Sequence, residues 1–223
     1  MIVQVFKQMS DVYADGERVY AQAGALLSKT AAVACEASLT GMEFASGIPG
    51  TLGGALRMNA GAYGGEMKQI VESAEVLTSE GEVLNLTNEE LGMGYRTSVI
   101  AKNDYVALSA VLKLEKGDRQ EIRAYMEDLK ERRVTKQPLE FGSAGSTFKR
   151  PEGYFAGKLI QDSGMQGYRV GDAQVSEKHC GFVINRGNAT AAEVMQLMKD
   201  VADRVEEKFG VRLEPEVRRI GEF

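Results

Sequence analysis

Three polar residues stand where a side chain could do chemistry. Ser146 ends the small-residue loop Ser143-Ala144-Gly145-Ser146, Arg96 follows Tyr95 in the GMGYRTS run from Gly92 to Ser98, and Glu216 lies in Leu213-Glu214-Pro215-Glu216-Val217-Arg218. A serine needs a base to become a nucleophile, and the single histidine, His179, belongs to a different motif, so a serine-hydrolase triad is disfavoured. Two readings of Ser146 stay open: a proton-donating hydroxyl, or an ordinary loop serine. Arg96 presents a guanidinium that can take a carboxylate through two parallel N–H bonds. Alternation along an extended strand puts Glu214, Glu216 and Arg218 on one face, which taken alone reads as a solvated face with a surface ion pair. Metal chemistry is poorly supported, because neither Cys35 nor Cys180 has a partner at ligand spacing.

The elements that must position these residues are organised around Gly47–Glu66, GIPGTLGGALRMNAGAYGGE, which holds seven of the chain's 25 glycines. Glycine serves where backbone takes positive φ or closely approaches another group. The segment therefore reads either as tight turns in a small β-domain or as ordered main chain wrapped around an anionic or flat aromatic ligand. Pro49 at a first helical position predicts a short helix through Leu56, whose unpaired N–H groups could receive a pyrophosphate. Before it, Met1–Phe6 reads as a strand, Asp15-Gly16 as a turn into a strand over 18–23, and 26–37 as a helix with Leu26, Leu27, Ala31 and Ala34 on its apolar face. After it come strands at 71–77, 83–86 and 106–114, with a capping box from Thr87 to Glu90.

Composition shifts near Gly117. Residues 118–133 read as a helix capped by Asp118, with Ile122, Tyr125, Met126 and Leu129 in one stripe, and Tyr125, Met126 and Met198 read as core. A helix over 154–162, a strand over 181–185, a long helix from the Thr190-x-x-Glu193 cap to Phe209, and a strand over 212–220 complete the chain. The fold class expected is α+β, without the strand-helix-strand unit around GxGxxG that a Rossmann fold requires. The divisions expected are a first domain over 1–136, a smaller α/β domain over 137–210, and a C-terminal strand over 211–223.

Bulk properties limit the function classes. With 223 residues, 43% hydrophobic and 26% charged, the chain can bury a sizeable core. A net charge of −5, from 27 basic and 32 acidic residues, argues against a broad electrostatic grip on nucleic acid or a membrane surface. The apolar settings of Cys35 and Cys180 read as buried reduced thiols rather than a disulfide. The N-terminus lacks the pattern of a signal peptide, and no run is long enough to span a bilayer, so a cytoplasmic protein is expected.

The glycine segment, together with GYRTS at 94–98, GSAGSTFKRP at 142–151 and LEPEVRRIG at 213–221, resembles the UDP-N-acetylenolpyruvoylglucosamine reductases, in the family's order and over nearly the whole chain. The spacing between Arg96 and Ser146 is similar to that of the shorter of the family's two types. The resemblance implies a partial FAD-binding domain of the vanillyl-alcohol-oxidase-like type, with NADPH as reductant and UDP-N-acetylglucosamine enolpyruvate as substrate. It implies FAD contacts at Gly47, Ile48, Pro49, Gly50, Gly53, Gly54, Asn59, Ala60, Gly61, Ala62 and Tyr63. It gives Ser146 the role of proton donor to the carbon beside the substrate carboxylate, and makes Arg96 and Glu216 the pair that stabilises the enol-type intermediate. Tyr95, Lys136, Gln174, Lys178 and His179 become substrate contacts, with Ser176 in the same segment. Two departures go with it: no GGGSN-like pyrophosphate loop occurs in these residues, and Gly142 stands where the family has proline. The alternative this leaves is a fragment that binds the UDP-sugar without flavin.

Overall fold

Alternation of side chains in the first half of the chain builds an antiparallel five-stranded sheet. The computed structural model describes residues 4–221 and divides into two compact units, Met1–Arg133 and Val134–Phe223. The first unit contains, in order, β1 (Val12–Asp15), β2 (Arg18–Gln22), α1 (Leu27–Glu36), β3 (Leu39–Thr40), α2 (Leu52–Arg57), β4 (Gly61–Ala62), β5 (Gly65–Glu66), β6 (Val71–Leu77), β7 (Val83–Thr87), α3 (Val99–Lys102), β8 (Val106–Lys113) and β9 (Glu115–Lys116), and α4 (Arg119–Lys136) begins within it. The sheet order is β1-β2-β8-β6-β7. On β2, Val19 and Ala21 turn into the core while Tyr20 turns outward and stacks on Tyr13, its partner on β1, with ring centroids 4.9 Å apart. The Gly16 turn, at φ +60, joins these two strands as the Asp15-Gly16 signal predicts. α1 and α2 close the core through Leu27, Ala31, Leu52 and Leu56.

The second unit holds β10 (Gly142–Ser146), α5 (Ala156–Asp162), β11 (Arg169–Val170), β12 (Ala173–Val175), β13 (Phe182–Asn185) and α6 (Ala191–Phe209), with sheet order β10-β13-β12-β11. α6 forms as the sequence pattern requires. Thr190 and Glu193 bond reciprocally at its start, Gly210 ends it at φ +66, and Leu197, Met198, Val201 and Val205 are buried against Leu159, Ile160 and Val175. The architecture is α+β, and no helix among the described residues is long and apolar enough to cross a membrane.

Several local readings change. Residues 1–3 lie outside the described residues, and Phe6–Gln8 form a turn rather than the end of a strand. α2 begins at Leu52 instead of Pro49, because Gly50 at φ +147 takes the chain out of helical space between them. Leu26 precedes α1 and is exposed, and Tyr125 is 45% exposed, so neither belongs to the core. Thr87 and Glu90 do bond to each other, but they hold a turn and not a helix. Residues 212–220 form one isolated bridge, Phe148 with Pro215, instead of a strand; proline has no N–H for a continuing ladder. That segment lies in the second unit rather than standing apart, and the division between units falls after Arg133. Gly142–Ser146, read as a loop, is a strand on β13 whose register shifts between Ser143 and Ser146.

Two stability outcomes follow. Replacing Gly65 with alanine puts a Cβ 2.5 Å from the Phe44 ring, so Gly65→Ala should lower the denaturant midpoint by the equivalent of about 1–3 kcal/mol through overpacking. Leu197→Ala, at a fully buried position on α6, should cost about 2–5 kcal/mol in the same equilibrium unfolding measurement.

Candidate functional site

Turns and close approaches, not a free helix end, shape the glycine segment. The N–H groups of Leu52 and Gly53 already donate to the carbonyls of Ala25 and Ala23, at 2.9 and 2.8 Å. These two donors at the start of α2 are used inside the fold. Gly61–Ala62 and Gly65–Glu66 pair as a two-stranded hairpin whose turn residues, Tyr63 and Gly64, both have positive φ, the geometry of a type I′ turn. Gly50 and Gly64 face open space where a side chain would stand, and Ile48 packs on the core while Pro49 is exposed. Ala60 is buried and both its backbone groups are used, its N–H by Ala55 and its carbonyl by Met67. Gly54 is exposed, with Thr51 Oγ1 4.0 Å from where a Cβ would sit.

The segment carries one contact that its sequence did not mark. An alanine Cβ at Gly47 would lie 3.0 Å from Arg133 Nε, and the Arg133 guanidinium stands 5.8 Å over the Tyr63 ring. Arg133 Nε is buried and has no hydrogen-bond partner among the described residues. In sequence Arg133 is indistinguishable from Arg132 beside it, so only packing singles it out.

Arg96 belongs to this same unit. Gly94 and Thr97 exchange backbone hydrogen bonds of 3.0 and 3.2 Å, closing a turn with Tyr95 and Arg96 at its tip. Tyr95 is 58% exposed, and Arg96 adopts φ +53, an uncommon conformation for a side chain of that size. The Arg96 guanidinium lies 5.6 Å over the Tyr95 ring. Asn59, expected among the FAD contacts, is 3% exposed and joins the glycine segment to this turn through the Gly94 carbonyl.

In the second unit, Ser146 and Glu216 come to neighbouring strands of chain. Ser146 is exposed at the end of β10, next to the shifted register and to Gly145 at φ +87. The residue after it, Thr147, donates its N–H to Gly181 and accepts at its carbonyl the N–H of Glu216, at 2.9 Å each. Glu214 pairs with Lys149 at 3.0 Å. Ser146 and Glu216 are thus carried on neighbouring stretches of backbone.

The remaining expected substrate contacts have internal partners. Gln174 is buried and donates to the Gly167 carbonyl at 3.1 Å. Lys178 donates to the Val134 carbonyl at 2.9 Å, in the last turn of α4, where a cation is favourable. Both line a cavity of about 260 Å³ with Ser176, Phe141, Glu140 and Arg186. Lys136, at the end of α4, is exposed. His179 accepts the Gly181 N–H at Nδ1, 3.1 Å, and meets the Phe182 ring edge-on at 5.0 Å. Loss of water on that side lowers its pKa and keeps the imidazole neutral, with its proton on Nε2. Burial raises the pKa of Cys180, so it is an inert thiol, and both cysteines are free.

Known proteins with this sequence and architecture are specific. Residues 137–220 match the family described as UDP-N-acetylenolpyruvoylglucosamine reductase, C-terminal domain, and residues 1–87 match an FAD binding domain. The UDP-N-acetylenolpyruvoylglucosamine reductase of Agathobacter rectalis is 60% identical over 92% of this chain and 65% of its own length. That of Alkaliphilus oremlandii is 59% identical over 100% of this chain and 73% of its own. The chain thus spans about two thirds to three quarters of these relatives. The crystal structure of UDP-N-acetylenolpyruvylglucosamine reductase from Thermus caldophilus superposes with a TM-score of 0.78 at 38% identity, covering 89% of this chain and 71% of that one. With relatives this similar along its whole length, and with an FAD-binding domain over residues 1–87, the chain belongs to the UDP-N-acetylenolpyruvoylglucosamine reductase family.

Proposed function

We propose that the chain acts as an NADPH-dependent flavoenzyme that reduces UDP-N-acetylglucosamine enolpyruvate to UDP-N-acetylmuramate in the cytoplasm, for peptidoglycan synthesis. The observation that carries this is the hydrogen bond from the Glu216 N–H to the carbonyl of Thr147, the residue next to Ser146, in a chain whose relatives bear that reductase name. The first unit fits an anionic, flat cofactor on two counts: open space over Gly50 and Gly64, and the buried Nε of Arg133 with no protein partner among the described residues. These residues would hold FAD, which would supply hydride chemistry with NADPH as the reductant.

The chain's own residues then handle charge and proton. Hydride addition to an enol ether conjugated to a carboxylate builds negative charge towards that carboxylate. The Arg96 guanidinium takes that charge through charge-assisted N–H bonds, and preorganisation of the donor lowers the barrier. Ser146 Oγ gives its proton to the carbon beside the carboxylate, and Glu216 steadies the enol-type species by accepting its hydrogen bond. Tyr95, Lys136, Gln174, Lys178 and His179 hold the sugar nucleotide. Three of these, Gln174, Lys178 and His179, already have internal partners, so their part is to shape the second unit's cavity walls and loop as much as to touch ligand.

A second reading has its own observation. The Leu52 and Gly53 N–H groups at the start of α2 already have partners within the fold, which favours a chain that binds the UDP-sugar without flavin.

Ser146→Ala should slow substrate-dependent reoxidation of reduced flavin by about 10²–10⁴-fold in stopped-flow absorbance, while reduction by NADPH keeps its rate. Unchanged reoxidation removes Ser146 from the mechanism. Titration calorimetry with FAD and with the enolpyruvyl substrate separates the two readings: heat and a yellow complex with FAD support the flavoenzyme, and sugar-nucleotide binding alone supports the second.

A further inference from the structure

Asn59 sits in the glycine segment, yet every polar atom of its side chain is turned into the protein. It is 3% exposed at φ +45, in left-handed space where asparagine is among the few side chains tolerated. Its Nδ2 donates to Glu66 Oε2 at 3.0 Å and to the Gly94 carbonyl at 3.2 Å, and its Oδ1 accepts the Lys68 N–H at 2.8 Å. These partners fix the amide's orientation, because a carboxylate and a carbonyl can only accept and a backbone N–H can only donate. The Gly94 carbonyl that Asn59 reaches also receives the Thr97 N–H, the rung that closes the Tyr95–Arg96 turn.

The other end of that turn is tied to the same stretch of chain. Ser98 is fully buried and its Oγ donates to the Arg57 carbonyl at 2.8 Å. Arg57 reaches past it to the Ile100 carbonyl at 3.2 Å and to Asp104 at 3.0 Å. Residues 57–59 therefore hold both ends of the turn that carries Arg96. A two-residue tip with Arg96 at φ +53 persists only where its surroundings over-determine it.

We infer that Asn59 is a positioning residue that acts through Arg96: with Ser98 as its counterpart, it sets the turn from which the guanidinium meets the substrate carboxylate, and it has no direct contact with flavin. This rests on the proposed role of Arg96. In Asn59→Asp an oxygen replaces Nδ2 opposite the Glu66 carboxylate and the Gly94 carbonyl, so the two donated bonds become repulsions at nearly unchanged volume.

The test compares binding of UDP-N-acetylglucosamine, which lacks the carboxylate, with its enolpyruvyl derivative, by calorimetry on the whole chain without flavin. The native chain should prefer the carboxylate-bearing ligand by about tenfold or more, the worth of a hydrogen bond to a charged group. Arg96→Met and Asn59→Asp should each abolish that preference while leaving the affinity for UDP-N-acetylglucosamine within twofold, roughly. Hydrogen exchange at the Gly94 and Thr97 amides should rise by about tenfold in Asn59→Asp, with β2 and β8 still protected. If Arg96→Met keeps the preference, or the native chain has none, the Arg96 role falls and the inference with it. If Arg96→Met loses the preference and Asn59→Asp keeps it, only the inference falls. If Asn59→Asp also loses UDP-N-acetylglucosamine binding, Ser98→Ala decides: preference lost with the parent sugar nucleotide still bound supports positioning, and any other result overturns it.

Discussion

Buried main chain must have its hydrogen bonds, and the irregular segment from Gly47 to Glu66 meets that demand by bonding to its neighbours. Gly50 accepts the Leu27 N–H, Leu52 and Gly53 donate to Ala25 and Ala23, and Ala23 in turn donates to Leu108 on β8. A stretch broken into one short helix, a two-residue hairpin and the turns between them is thereby stitched to the central sheet. The side-chain amide of Asn59 continues the same logic one step further, into the turn that bears Arg96. Remove this stitching and neither the open faces of Gly50 and Gly64 nor the left-handed tip at Arg96 has a reason to persist.

The second unit solves a different problem with similar means. Its sheet is short, and β10 carries a register shift at the end where Ser146 is presented. What stabilises that end is a single rung to the C-terminal segment, Thr147 with Glu216 and Lys149 with Glu214, backed by the buried Phe148 and Leu213. The bridge at Pro215 breaks the ladder after one rung and leaves Ser146 exposed and Glu216 half-buried.

Charged side chains divide into those that serve the fold and those proposed to serve chemistry. Arg18 with Glu72, and Arg212 with Asp203 and Glu206, are solvent-facing pairs of small energetic worth, whatever their short distances. Lys178 is more specific, since it meets a carbonyl in the last turn of α4, where the helix dipole favours a cation. Arg133 is the opposite case, a buried Nε with no hydrogen-bond partner among the described residues.

Periodicity and turn chemistry made much of the architecture readable from residues alone. The strands at 71–77 and 106–113, the Gly16 hairpin and the capped α6 each follow from local pattern, because alternation and helix caps act within a few residues. The order of motifs also pointed to the family. Tertiary structure alone decided which donors were already spent, that Gly142–Ser146 pairs as a strand while 212–220 does not, that Tyr125 faces water, and that Asn59 faces inward. The reason is physical: a backbone N–H, a carboxamide or a guanidinium has the same identity in sequence whether it meets solvent, a ligand or a carbonyl some 35 residues away, and only the packed chain selects among them.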